Sequence, residues 1–318
     1  MPEKKERMKR KFNEDAIMHI YQRTIFGFNI FYCIEDFIVF YTIVSVYARK
    51  FKIILIGLCQ MIDHTHLLAS CSSLEQMSRF ISAYTSRFVR EFNQFTGRKG
   101  PLFKKAYGSA VKMEAKKIRS AIAYLFNNPV EKKICTAAED YKWSYLRFYD
   151  PRRKPINVAA GCSNNLRKAI KRVTNCFNNG SYIGYVFLGK LFKDLNNEEM
   201  KIVIEYIMEL YFPFAVKETL QYYKSYEDMI TAINSNTGSE YEIKEKHYGK
   251  TDVPYREIIA CLKEMGFSDV RSVLTMNSCQ RQELVDHLKK QTSASYTQIR
   301  KFLQIPVKDT KCNKENKH

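Results

Sequence analysis

The chain has 318 residues, long enough for two domains, and its 45% hydrophobic and 27% charged composition is that of an ordinary soluble globular protein. The balance of 52 Lys and Arg against 33 Asp and Glu gives a net charge of +19, which favours a polyanionic partner because phosphate neutralisation supplies most non-specific DNA affinity. The most apolar N-terminal stretch, Ile38 to Ala48, is too short to span a bilayer, and no apolar region follows the charged opening, so neither a membrane span nor a signal peptide is expected.

In chain order, the pattern predicts a strand over 17–23, a helix over 33–50, strands over 53–60 and 64–69, a helix over 74–95, a loop with a short strand over 97–112, and a helix over 114–127. This alternation suits an α+β sheet covered by helices. Asp150-Pro151-Arg152-Arg153-Lys154-Pro155 is the best boundary, because prolines bracket a basic stretch. Helical patterns follow over 165–177, 182–195, 197–210 and 215–234. Gly238 to Thr251 reads as a polar linker, and four short helices are expected over 254–265, 268–276, 278–290 and 294–304. The last two resemble a helix-turn-helix in which Ser295 caps the second helix and Thr297, Gln298, Arg300 and Lys301 offer polar side chains to a groove; an ordinary helical hairpin accounts for them equally well. The organisation expected is thus 1–150, 151–237, 252–306, and a disordered tail over 307–318. Nine scattered cysteines without a C-x-x-C pair point to reduced thiols in a cytoplasmic protein.

Two short motifs carry chemistry. His64 and His66 stand at i and i+2 in an apolar run, so a strand sends both imidazoles to one face, where neutral imidazoles ligate divalent metals. A His-x-His pair alone more often marks two half-buried histidines. On the helix ending near Pro129, Tyr124 and Asn128 are i and i+4 and share a face, with Asn128 at the frayed end. In a chain with 21 tyrosines, a helical tyrosine taken alone is usually packing.

Together with their surroundings these motifs resemble the REP-associated tyrosine transposases, a branch of the single-tyrosine HUH nucleases related to insertion-sequence transposases. The resemblance covers roughly residues 17 to 150 and rests on His19-Ile20-Tyr21-Gln22-Arg23, His64-x-His66, Ser78-Arg79-Phe80, Arg87 to Asn93, Gly100-Pro101-Leu102-Phe103, Tyr124-x-x-x-Asn128-Pro129 and Tyr141-Lys142-Trp143-Ser144, in that order. It implies a ferredoxin-like βαββαβ HUH core with a mostly α-helical C-terminal half. It also implies Tyr124 as nucleophile, and His64, His66 and Asn128 as ligands of Mg²⁺ or Mn²⁺. The implied reaction is nicking and strand transfer of single-stranded DNA through a 5′-phosphotyrosine intermediate. A phenol titrates near 10 and needs help to lose its proton, while a divalent ion can polarise the scissile phosphate, so the residue types suit that chemistry. Departures accompany the matches. Thr65 replaces a bulky apolar residue, Ile62-Asp63 replaces a common Pro-Asn, and Ala106-Tyr107 replaces an Arg-Phe pair.

Basic residues interleaved with aromatics are what single-strand grooves use. On that ground Arg23, Arg87, Arg90, Arg98, Lys99, Phe103, Lys104 and Lys105, with Arg300 and Lys301 from the C-terminal hairpin, are the expected DNA contacts. A solvated basic surface accounts equally well for any one cluster. The implied partners are single-stranded or hairpin DNA and, as assembly, a homodimer, with no membrane; the implied setting is cytoplasmic and nucleoid-associated. Two other readings remain at this point: a catalytically silent DNA-binding descendant, and a replication initiator or relaxase of the same His-x-His chemistry.

Overall fold

In the computed structural model, which describes residues 12, 16–156, 163–235 and 252–306, the chain begins with β1 (Ile17–Arg23), α1 (Ile34–Lys50), β2 (Ile54–Met61), β3 (His64–Ser70), α2 (Leu74–Thr96), β4 (Gly108–Lys112) and α3 (Ala115–Glu131). The four strands form one sheet in the order β2-β3-β1-β4, each neighbour antiparallel. This is the βαββαβ arrangement the residue pattern predicts.

Local chemistry sets the element ends. The Asp36 carboxylate accepts from the backbone of Tyr32 and Cys33 at the start of α1, the Ser73 hydroxyl accepts from Gln76 N at the start of α2, and Gly97 closes α2 in the left-handed conformation at φ 72°. Met77, Phe80, Ile81, Tyr84, Phe88 and Phe92 recur at helical spacing and are the buried stripe of α2.

The pleat divides the sheet between two layers of helix. Gln22 meets Tyr84 of α2, and Gln60 donates to the Phe37 carbonyl of α1, so that parity of residues faces α1 and α2. The opposite parity faces α3. A Cβ on Gly57 would stand 3.1 Å from the Phe126 ring and 3.3 Å from Leu125, so the absent side chain lets α3 lie close to the sheet. Pro129 does not end α3 as expected; the helix runs on to Glu131. Proline forfeits only the bond its own N–H would make, and Lys132 N still donates to Asn128 O at 3.1 Å. Asn128 therefore sits inside a formed helix.

The remainder is helical: α4 (Asn164–Asn178), α5 (Tyr185–Phe192), α6 (Asn197–Leu210), α7 (Val216–Leu220), α8 (Tyr226–Asn234), α9 (Val253–Glu264), α10 (Ser278–Gln291) and α11 (Tyr296–Phe302). The single helix expected over 215–234 is two, because the Ser225 hydroxyl starts a new helix by accepting from Asp228 N. The helix expected over 268–276 is a 3₁₀ segment, Val270–Thr275, opened by Asp269. These elements pack onto the sheet-bearing half. The buried Asp36 accepts from Arg271 Nη1 and from the Tyr185 hydroxyl, both at 2.9 Å. Tyr41 donates to Met208 O at 2.8 Å and Tyr32 to Phe302 O at 2.7 Å. The expected linker over 238–251 and the tail over 307–318 lie outside the described residues. No described helix is long and apolar enough to cross a membrane.

Candidate active site

His64 and His66 emerge from one face of β3, and the register aligns them with Arg23 and Tyr21 of β1 and with Met61 and Cys59 of β2. Their rings are perpendicular, with centroids 5.0 Å apart. Two nitrogens bound to one ion at about 2.1 Å place imidazole centroids at about this separation. α3 crosses the same face and brings Tyr124 against His66, centroids 5.6 Å apart at 87°. Asn128 follows one turn later, fully buried.

A residue with no role assigned from sequence completes the cluster. His19 of β1 is fully buried, its Nε2 lies 3.1 Å from His66 Nδ1, and its ring centroid is 5.7 Å from that of Tyr124. On the other side, His64 Nδ1 lies 2.6 Å from Asp63 Oδ1. Each β3 imidazole thus has its Nδ1 engaged by a neighbour, which makes Nε2 the nitrogen for a metal. In the sequence His19 shows only as the first residue of the opening motif of the resemblance and as a polar residue at an inward position of an apolar strand.

The donor set fits a divalent ion on a further observation. Both amide atoms of the Asn128 side chain are buried without a hydrogen-bond partner among the described residues. A buried amide left so costs free energy unless something absent satisfies it, and an amide oxygen is a metal ligand. Among the described residues no group of three or more His, Cys, Asp and Glu is placed to hold a metal ion by itself, so a site here depends on that amide.

The expected DNA contacts separate into groups. Arg90, Lys104 and Lys105 line a groove of about 1660 Å³ between α2 and the edge strand β4, together with hydroxyls of Ser78, Ser82 and Thr85. That exceeds the roughly 300–1,000 Å³ of small-molecule pockets and suits a polymer. Tyr21, the cross-strand partner of His66, is at the groove wall, and its ring covers Gly108 so closely that a Cβ there would stand 1.8 Å from Tyr21 Cζ. Arg23 lies over the Tyr21 ring at 5.6 Å, and Lys99 is exposed.

Four expected contacts also meet neighbours within the protein. Phe103 lines the groove but is 8% exposed and packs near Phe40 and Phe88. Arg98 donates to the carbonyls of Gly100 and Pro101 and to Asn93 and Gln304, which ties the chain to itself. Arg87 lies over the Tyr182 ring, away from the groove. Lys301 points at Asp63, with Nζ 3.7 Å from Oδ2, while Arg300 is half-buried beside it.

Residues 19–128 match the family model described as "Transposase IS200 like". This segment is similar to IS200-like transposases. The match starts at His19 and ends at Asn128, so the cluster of His19, His64, His66, Tyr124 and Asn128 falls within the matched segment and α4 to α11 fall outside it. A solved structure of a REP-associated tyrosine transposase bound to a REP hairpin is similar over 50% of this chain and 93% of its own, with 13% identity and a TM-score of 0.38. No curated protein matches the chain.

Proposed function

We propose that the chain is a single-tyrosine transposase of the REP-associated branch, which nicks and rejoins single-stranded DNA carrying a hairpin. The observation that supports this reading is the contact of Tyr124 with His66, itself beside His64 on one face of the sheet, with Asn128 buried one turn further along α3. In the reaction, Tyr124 Oη bonds to phosphorus, the bond from phosphorus to the 3′ oxygen breaks, and that oxygen leaves as a 3′ hydroxyl on taking a proton. A different 3′ hydroxyl reverses the step and gives strand transfer.

The chain's own residues orient these parts. His19 and Asp63 fix the two imidazoles through Nδ1, and α3 presents the phenol and the amide from one side. His64, His66 and Asn128 would hold Mg²⁺ or Mn²⁺, which when bound polarises the scissile phosphate and stabilises the leaving oxygen. Arg90, Lys104 and Lys105 hold phosphates along the groove.

One observation favours a second reading. Tyr124 is 2% exposed, so DNA reaches it only after its surroundings shift, and a protein that only binds DNA needs no such opening. The test is incubation with end-labelled single strands carrying palindromes in Mn²⁺. Nicked product and a denaturant-resistant protein–DNA adduct are expected; tight binding with neither product would favour the binding-only reading.

A further inference from the structure

The wall of the cluster nearest His64 is built from both ends of the chain. Ile30 N donates to Ile62 O at 2.9 Å, and Thr24 Oγ1 to Asp63 O at 3.3 Å, which fastens the segment after β1 to the β2–β3 turn. The same segment is fastened to the end of α11, since Asn29 N donates to Lys301 O at 3.2 Å. Lys301 then extends past Gly27, where a Cβ would stand 3.1 Å from its Cε and Nζ. Its Nζ reaches Asp63 Oδ2 at 3.7 Å, and the other oxygen of that carboxylate, Oδ1, lies 2.6 Å from His64 Nδ1.

We propose that α11 is part of the active site, with Lys301 and Asp63 as positioning residues for His64; this rests on the metal reading above. A carboxylate that engages Nδ1 fixes the tautomer and the ring angle, which turns Nε2 toward the ion. A carboxylate has two oxygens and rotates unless both are engaged. Lys301 engages the second. The side chains of the pair are 18% and 19% exposed, so solvent and salt screen it less than a surface pair.

The test measures Mn²⁺ binding to the full chain by calorimetry, without DNA or turnover, for the parent, Asp63→Asn, Lys301→Met, Lys301→Arg and the exposed control Lys290→Met. Outer-shell partners are worth about 10- to 100-fold in metal affinity. Asp63→Asn and Lys301→Met are each expected to weaken Mn²⁺ binding about tenfold, and the double variant no more than Asp63→Asn alone, because both act through one ring. Lys301→Arg and Lys290→Met should bind as the parent does. Coulomb repulsion alone predicts the opposite sign, since removing the Lys301 cation would then tighten cation binding. Unchanged or tighter binding in a Lys301→Met chain with the parent's circular dichroism overturns the relay while leaving the metal site standing. A parent that binds no Mn²⁺ overturns both. Should Lys301→Met unfold, Asp63→Asn decides alone, and parent-like affinity there overturns the relay.

Discussion

The ring of Tyr124 stands edge-on to that of His66, although 58 residues separate them, because α3 crosses the sheet directly over the strand that carries the histidine. His19 closes the triangle, with its ring 5.2 Å from His66 and 5.7 Å from Tyr124. Three rings in mutual contact, two of them imidazoles, fix the phenol's position without any loop.

Asn128 should reveal a conflict between function and stability. Its buried amide has no hydrogen-bond partner among the described residues, and such a group costs about 1–3 kcal/mol. Asn128→Leu is therefore expected to raise Tm while slowing nicking, whereas His64→Ala or His66→Ala should remove divalent-dependent nicking altogether. Thermal melts beside nicking rates check this. A Tm lowered by Asn128→Leu would show that the amide is satisfied in solution.

Each cation of the groove should appear in the salt dependence of binding. Replacing Arg90, Lys104 and Lys105 together with Gln is expected to flatten log K against log salt by roughly two units, at about 0.7 per phosphate on single strands. Fluorescence anisotropy across salt concentrations reads the slope. Phe103→Leu should leave that slope alone, since it removes no charge.

The buried pair of Arg271 and Asp36 joins the C-terminal helices to the start of α1. Burial pushes the Asp36 carboxyl up, opposed by Arg271, the Tyr32 amide and the Tyr185 hydroxyl. Removing one member of a buried pair strands the other at a cost of about 3–5 kcal/mol. Arg271→Ala is expected to destabilise the whole chain by that order in one cooperative transition. A separate early transition, with the sheet-bearing half melting as in the parent, would show that the two halves are independent.

Much of this arrangement was legible in the residues. The strand and helix patterns placed β1 to β3 and α2 closely and β4 within a loop over 97–112, and the i+2 and i+4 spacings placed the two histidines together and Tyr124 with Asn128. What sequence concealed was contact across strands and across the chain. His19 meets His66 only through the β1–β3 register, and Lys301 meets Asp63 from the other end of the protein. Spacing cannot show either. Charge alone likewise does not show that Arg98 and Lys301 have partners within the protein. A chain truncated near Gly238 is expected to nick poorly, since it lacks Arg271 and Lys301.

The central claim is that Tyr124 is the nucleophile, and the most direct measurement is peptide mass spectrometry of the covalent adduct formed with a single-stranded hairpin substrate. The expected result is a nucleotide attached through its 5′ phosphate to Tyr124, with Tyr124→Phe forming no adduct and binding DNA within about threefold of the parent, since only one hydroxyl is lost. An adduct on another residue, or an undiminished adduct in Tyr124→Phe, would contradict the account.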